Sequence, residues 1–378
     1  MSRALTVPAV VVAAMGLAAC GSSAPSATSV AGPSAITVSS TATGCTLSST
    51  TAPTGPTTFR IANDGDATTQ FYVYVADGQR VVSELENIGP AITRDLTVVL
   101  QPGTYTTACK PGETGAGIRG SFTVTGTAGT ATSSATAALA VAAREYTEWV
   151  EEEAEELLED TTAFVAAVRA GDVAKAKALY APARVHWERI EPVAETFGDL
   201  DPKLDARVND VEPGAEWTGW HRIERALWVT GSAAGMAPIA DRLLTDTTEL
   251  VERIESVSLT ADQVTNGAKE LLDEVATGKV TGEEERYSHT DLWDFQANVD
   301  GARKAYDVVR EIVTTRDAAL ATELDAAFGA LQTSLDAHRA GAGFVSYTSL
   351  TADQVKVLAA RVEALSEPLA ELTSTVVS

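Results

Sequence analysis

The chain has 378 residues, of which 45% are hydrophobic and 21% charged, so it is long enough to form two or three domains with real cores. It carries 28 Lys and Arg against 52 Asp and Glu, a formal net charge of −24. A polyanion of this size repels nucleic acid and anionic lipid headgroups, which excludes both as binding partners, and it attracts cations.

The N-terminus is predicted to be an export signal. Arg3 supplies a positive charge, and residues 4–19 form an uncharged, mostly apolar run that is shorter than an ordinary transmembrane helix. The run ends in Leu17-Ala18-Ala19-Cys20-Gly21, which resembles a bacterial lipobox, where the cysteine is lipidated and the chain is cut before it. The alternative is an A-x-A cleavage site with an incidental cysteine. Residues 1–20 are therefore predicted to be a lipoprotein signal peptide, and residues 21–34 a flexible tether to the outer face of the cell membrane.

Residues 35–128 are predicted to form a small β-sandwich. The segment is rich in Thr, Val and Gly, and short alternating runs typical of strands are separated by turn signals. These runs are 35–40, 58–62, 70–75, 96–100, 104–108 and 120–124. The turn Pro102-Gly103-Thr104-Tyr105 before Cys109 resembles the end of a cupredoxin domain. A blue-copper centre is excluded, because the segment contains neither His nor Met and such a centre needs two imidazoles.

Cys45 and Cys109 are the two cysteines that remain if Cys20 is lipidated. Two cysteines in an oxidising compartment most often form a disulfide. The alternative is a metal site in which their thiolates act together with acids such as Glu84 or Glu86.

Residues 129–135 are predicted to be a linker, and residues 136–378 an antiparallel helical bundle, because helical periodicity replaces strand alternation there. Helices are predicted over 138–170, 173–197, 261–277, 290–314, 318–338 and 351–376, with two more beginning near 217 and 238 and a loop over 198–214. Ser288-His289-Thr290-Asp291 resembles a capping box. The predicted fold class is therefore multidomain, a β-sandwich followed by an all-α bundle.

The first candidate site residues are His221 and Glu224, in the motif His221-Arg222-Ile223-Glu224. Residues three apart share one face of a helix, so the imidazole and the carboxylate point the same way. Trp217 and Trp228 fall on the same stripe, which is typical of a buried face. A buried His beside a buried Glu needs either a cation or a satisfied polar network, and the residues alone favour neither.

Two further clusters and one single residue carry groups that could bind a metal ion. In residues 186–192, Glu188 and Glu191 share one helix face and His186 lies on another; the alternative is a packed His and a solvated acid pair. Asp246 falls on the apolar face of its predicted helix. The acidic run at 283–285 is typical of a solvated loop, with one acid available to turn inward.

Several long strings resemble one family. They include W-T-G-W-H-R-I-E-R-A-L-W at 217–228 and the segments 186–192, 198–201, 205–207, 282–298, 86–90 and 100–105. Together they resemble the extracytoplasmic components of EfeUOB-type iron-uptake systems, over nearly all of the mature chain. The resemblance implies a cupredoxin-like domain followed by an imelysin-like helical domain with an H-x-x-E metal motif.

The resemblance also implies a ligand set and partners. His221 and Glu224 form the H-x-x-E pair, Asp246 and Glu285 are further carboxylate ligands, and Cys45 and Cys109 match the family's cysteines. Where the family has a carboxylate on the central strand, residues 71–73 are apolar or aromatic. The implied metal is iron, ferrous or ferric, with zinc, manganese and copper as alternatives. The implied partners are a ferrous-iron permease (EfeU-like) and a haem peroxidase (EfeB-like).

We therefore expect a membrane-anchored, extracytoplasmic lipoprotein that binds iron and delivers it to a permease, and not an enzyme. Carboxylate oxygens with one imidazole suit iron. One alternative is an imelysin-type metallopeptidase with Glu224 as general base. The other is a metal-free structural or polysaccharide-binding lipoprotein. The sequence has no zincin motif, nucleophile elbow, P-loop or dinucleotide fingerprint.

Overall fold

The computed structural model describes residues 35–127, 134–211 and 214–378, which belong to one unit. The predicted signal peptide with Cys20, the tether and most of the predicted linker lie outside the described residues. Within these three ranges, no helix is long and apolar enough to cross a membrane.

The β part, residues 35–127, is built from two sheets. Its strands are β1 (Ile36–Thr41), β2 (Gly44–Leu47), β3 (Thr51–Pro53), β4 (Gly55–Asn63), β5 (Thr69–Val75), β6 (Val81–Ile88), β7 (Thr93–Leu100), β8 (Gly103–Pro111) and β9 (Ile118–Thr125). One sheet has the order β2-β1-β4-β7 and the other β3-β9-β8-β5-β6. Pairing is antiparallel except between β1 and β4 and between β3 and β9. The predicted β-sandwich is confirmed.

The core between the sheets is aromatic. The rings of Phe71 and Phe122 lie 5.2 and 5.3 Å from that of Phe59, and all three side chains are fully buried. Cys45 in β2 and Cys109 in β8 form a disulfide that joins the two sheets. Both sulfurs are used in this bond, so neither is a thiolate available to the alternative metal site.

The helical part begins at Ser134. Its helices are α1 (Ser134–Arg169), α2 (Val173–Glu195), α3 (Asp201–Leu204), α4 (Gly219–Arg225), α5 (Ala237–Ile254), α6 (Ala261–Thr277), α7 (Asp291–Arg316), α8 (Ala318–Asp336), α9 (Ala352–Leu369) and α10 (Leu372–Val377). A π-helical turn, Ala226–Thr230, follows α4, and 3-10 turns lie at Lys279–Thr281 and Tyr347–Ser349. A short hairpin pairs β10 (Arg339–Ala340) with β11 (Gly343–Phe344).

Most predicted helices are confirmed, with three differences. The predicted loop at 198–214 contains α3, and the predicted helix at 351–376 is divided between α9 and α10. The capping box predicted at 288–291 is wrong, because α7 begins at Asp291, so Thr290 and not Ser288 is its N-cap, and Thr290 makes no side-chain cap. Capping boxes instead begin α6, at Thr260, and α9, at Thr351.

An aromatic cluster fixes the short helix α4 against its neighbours. The ring of Trp220 lies 5.0 Å from that of Phe164 in α1 and 5.9 Å from that of Tyr180 in α2, and all three side chains are buried. A helix of seven residues is not stable in isolation, so this packing maintains α4.

Helix α6 joins the helical part to the β part. The Asn266 side-chain amide donates to Ser83 Oγ at 3.1 Å and to the Thr97 carbonyl at 2.9 Å. The Val99 N–H donates to Asp262 at 2.7 Å. These contacts supply partners for polar groups that the junction buries.

Candidate metal centre

The start of α4 lies directly against the end of α3. Gly219 has φ +81°, and a Cβ atom there would lie 2.1 Å from the Leu204 carbonyl oxygen. Only glycine allows this approach. Thr218 Oγ1 also donates to the Lys203 carbonyl at 2.9 Å, and the Trp217 indole to the Ala206 carbonyl at 2.7 Å. These contacts bring residue 221 beside residue 205.

His221 and Glu224 are both buried, as the spacing predicts. His221 Nδ1 lies 3.2 Å from Glu224 Oε2. The other oxygen, Glu224 Oε1, accepts from the Tyr287 N–H at 2.8 Å and the Ser288 N–H at 2.6 Å. Burial acts to raise the pKa of Glu224, but the contacts with His221 and the two N–H groups hold this pKa below its ordinary value. Glu224 is thus an ionised acceptor whose two oxygens are both engaged.

The second nitrogen of His221 faces two carboxylates. Nε2 lies 3.5 Å from Asp205 Oδ1 and 3.5 Å from Glu284 Oε1. It is buried, and among the described residues it has no hydrogen-bond partner. Asp205, His221 and Glu284 form one group whose donor atoms could hold a single ion. We call these three residues the His221 centre.

The spacing of these atoms suits a metal ion. With metal–ligand distances of about 2.1 Å, ligand atoms lie about 3.0 Å apart in an octahedron and about 3.4 Å apart in a tetrahedron. A separation of 3.5 Å from Nε2 to each oxygen is close to these values, whereas it is long for a hydrogen bond.

Two arginines bind the carboxylates of the centre. The guanidinium of Arg184, which is fully buried, contacts Asp205, Glu188 and Glu285. Arg207 Nη1 lies 2.8 Å from Glu284 Oε2.

These arginines keep the two carboxylates ionised. Burial acts against the charged form, but Arg184 and His221 hold the pKa of Asp205 below its ordinary value. Burial likewise opposes ionisation of Glu284, yet Arg207 and His221 lower its pKa well below the usual range. Both groups are therefore available as anionic ligands near neutral pH.

The carboxylates also change the protonation of His221. Burial and Arg184 act to lower the pKa of His221, but Asp205, Glu224 and Glu284 raise it well above 6.5. The surrounding carboxylates therefore favour the protonated form of His221 in the absence of an ion, and a bound cation must replace that proton.

The predicted ligand Glu285 is buried and close to His221, but it is not part of the His221 centre. With His221 and Glu224 it forms a second group able to hold an ion. Glu285 is bound by Ser288 Oγ at 2.8 Å and lies 2.6 Å from Arg184 Nε. Burial and Glu224 raise its pKa well above the ordinary value, although Arg184 and His221 oppose this.

The residues of the second predicted cluster lie on opposite sides of α2. His186 Nδ1 lies 2.8 Å from Glu153 in α1. Glu188 and Glu191 point to the opposite side, where Lys279 Nζ lies 2.6 and 2.8 Å from them. The alternative of a solvated acid pair is wrong, because both acids are buried. Neither acid is brought together with His186.

Asp246 is buried, as its position on α5 predicts, but it lies outside the His221 centre. Its carboxylate is bound by Arg242, with the Nε atom 2.9 Å from Oδ2. None of the groups of donor atoms found among the described residues includes Asp246.

A third group lies where the helical part meets the β part. Glu86 in β6, Glu195 in α2 and Glu274 in α6 bring one carboxylate oxygen each within 4.8 Å of one another. Glu274 is also bound by Lys279, at 2.8 Å. This group contains no imidazole.

Asp205 and Glu284 are the two members of the centre that sequence reasoning did not select. Asp205 appears only within the family-like string at 205–207, and Glu284 only within the acidic run. Both acids lie in strings that resemble the family, at 205–207 and 282–298, but nothing in the local sequence indicates that either acid is buried.

Comparisons with known proteins identify the family. The Imelysin family model matches residues 142–372, and the Cupredoxin-like domain model matches residues 9–124. The protein called "Iron uptake system component EfeO" in Escherichia coli (strain K12) is 40% identical over 337 residues, 87% of this chain and 88% of the relative. The proteins of the same name in Shigella flexneri and Escherichia coli O157:H7 have the same identity and coverage. The chain therefore belongs to the imelysin family and to the EfeO family of iron uptake system components.

Proposed function

We propose that this chain is an extracytoplasmic iron-binding component of an iron-uptake system and that it holds iron through Asp205, His221 and Glu284. One observation carries the proposal. His221 Nε2 is buried without a hydrogen-bond partner among the described residues, 3.5 Å from each of two carboxylate oxygens. A cation between them could bind all three atoms at once, whereas a separation of 3.5 Å is too long for a good hydrogen bond between Nε2 and either oxygen.

Glu224 has an orienting role in this proposal. A proton on His221 Nδ1 is donated to Glu224 at 3.2 Å, which leaves the lone pair of Nε2 directed between Asp205 and Glu284. Carboxylates commonly fix a ligating histidine in this way. The H-x-x-E motif then supplies one ligand and the group that orients it, with Glu285 as a further carboxylate beside them.

The donor set is compatible with several metals, and the relatives single out iron. Two carboxylate oxygens and one imidazole suit ferrous or ferric iron, manganese and zinc. The relatives are named as iron uptake system components, which makes iron the cargo we propose.

A metallopeptidase is less compatible with this arrangement. A general base must have an oxygen free to accept a proton from a metal-bound water. In Glu224 one oxygen accepts from two backbone N–H groups and the other contacts His221. The lowered pKa of Glu224 also makes it a weaker base.

Attachment to the membrane and delivery of iron rest on the sequence and on the relatives. Lipidation of Cys20 and a tether over 21–34 would hold the chain beside a ferrous-iron permease, with a haem peroxidase as the second partner. Fractionation of cells that produce a Cys20→Ala variant tests the anchor. We expect the variant in the soluble extracytoplasmic fraction, and unchanged membrane association would contradict the proposal.

Anaerobic titration of the purified protein with Fe²⁺ tests the proposed site. We expect His221→Gln to weaken binding about 100-fold, because it removes the nitrogen ligand and leaves the two acids without it. Asp246→Asn is the matched control, since it alters a buried carboxylate that Arg242 binds outside the centre. Equal affinity of His221→Gln and the wild-type protein would refute the site.

A further inference from the structure

We propose that Arg184 and Arg207 are specificity-determining residues that match the His221 centre to a divalent rather than a trivalent cation. The inference rests on the proposed function, and it concerns two side chains that do not themselves bind the ion. It follows from the arginine contacts of the two carboxylates that face His221 Nε2. Asp205 contacts Arg184, and Glu284 lies 2.8 Å from Arg207 and 3.9 Å from Arg184.

Arg184 acts on the first of these carboxylates. Its Nη1 atom contacts Asp205 Oδ1, the same oxygen that lies 3.5 Å from His221 Nε2. The guanidinium is fully buried. Its other partners are Glu188 and Glu285, with Asp294 at 3.6 Å and Glu284 at 3.9 Å. Water therefore does little to screen its charge from an ion bound at Asp205.

Arg207 acts on the second carboxylate. Its Nη1 atom lies 2.8 Å from Glu284 Oε2, which leaves Oε1 facing His221 at 3.5 Å. Its Nε atom lies 2.7 Å from Asp210, which holds the guanidinium in place. Glu284 thus offers one oxygen to an ion and gives the other to an arginine.

A fixed positive charge opposes a bound cation in proportion to the charge of that cation. Each arginine therefore disfavours a trivalent ion half as much again as a divalent ion at the same position. The net charge of −24 attracts a trivalent ion more strongly than a divalent ion, so it cannot produce a preference for the divalent ion. The discrimination must come from groups beside the ligands, and these two arginines are in direct contact with them.

Competitive titration of the purified protein with Mn²⁺ and with Ga³⁺, each buffered by citrate, tests the inference. Arg207→Gln is the main variant, because the Arg207 side chain is 32% exposed and its loss is better tolerated than that of buried Arg184. We expect it to raise the ratio of Ga³⁺ to Mn²⁺ affinity about tenfold. Arg207→Lys keeps the charge and should restore the wild-type ratio.

Arg253→Gln is the matched control. Its side chain is equally exposed, at 32%, and pairs with Asp199 and Glu249, which are not part of the centre. We expect its affinity ratio to equal that of the wild-type protein. If Arg207→Gln still binds Mn²⁺ and its ratio of Ga³⁺ to Mn²⁺ affinity equals that of the wild-type protein, the inference is wrong and the proposed function stands. The same holds if the substitution lowers both affinities by the same factor. If the wild-type protein binds neither metal, the proposed function fails and the inference with it.

Discussion

Protonation of the His221 imidazole competes with binding of an ion at the His221 centre. Asp205, Glu224 and Glu284 overcome the effects of burial and Arg184, so that the pKa of His221 lies well above 6.5. A group whose pKa is raised by folding stabilises the ion-free protein below its unfolded pKa, and this contribution is lost as the pH rises through the folded pKa. Metal binding has the opposite dependence on pH, because the ion needs the deprotonated nitrogen.

We therefore predict that added Mn²⁺ raises the melting temperature more at pH 8 than at pH 6. Each proton displaced by the ion changes the affinity by up to about tenfold per pH unit. Asp205 and Glu284 have lowered pKa values and stay ionised over this interval, so they do not produce the effect. Thermal unfolding with and without Mn²⁺ measures it. A larger stabilisation at pH 6 would contradict the assignment of His221 as a ligand.

Individual residues show what could be predicted from the sequence. The buried H-x-x-E pair follows from helix spacing and the flanking tryptophans. The apolar periodicity of α5 predicts that Asp246 is buried, and it is, but its partner is Arg242, four residues earlier on the same helix. Asp205 and Glu284 depend on Arg184 and Arg207, and the pairing of Glu284 with Arg207 spans 77 residues, so no local pattern reveals it.

At the scale of elements, the short helix α4 places His221 through the contact of Gly219 with Leu204. We predict that Gly219→Ala destabilises the protein by about 3 kcal/mol. Alanine is strained at the positive φ of this position, and its Cβ would lie only 2.1 Å from the Leu204 carbonyl oxygen. Mn²⁺ binding should weaken as well, since His221 shifts away from Asp205. Denaturant unfolding and Mn²⁺ titration measure the two effects.

Gly231→Ala provides the control for backbone strain alone. Gly231 has φ +63°, but a Cβ there meets nothing within 4 Å. We expect it to cost about 1 kcal/mol and to leave Mn²⁺ affinity unchanged. Equal losses of stability in the two variants would show that the contact with Leu204 does not position α4.

The long helices could be predicted because their apolar faces repeat over many turns, whereas several short elements could not. Strand β6 (Val81–Ile88) lacks simple alternation, since Ser83, Glu84 and Leu85 are buried in succession where the strand meets α6. The π-helical turn after α4 also changes the helical register before Trp228. The predicted stripe that includes Trp228 therefore does not continue as one regular helix.

For the whole molecule, the junction between the β part and the helices depends on Asn266. It donates to Ser83 and Thr97 and accepts from Thr373 Oγ1 at 2.6 Å. We predict that Asn266→Ala lowers the free energy of unfolding by about 2–3 kcal/mol, because several buried groups lose partners. Asn209→Ala, at an exposed position, is the control and should change it by less than about 0.5 kcal/mol. Equal stability of the two variants in thermal unfolding would contradict this role of Asn266.

The position of a bound ion in a crystal is the most direct test of the His221 centre. Anomalous diffraction from crystals soaked in Mn²⁺ would locate it without reliance on mutagenesis. We predict a peak about 2.0–2.3 Å from His221 Nε2 that also contacts carboxylate oxygens of Asp205 and Glu284. A peak only at the group formed by Glu86, Glu195 and Glu274, with none beside His221, would contradict the proposed site.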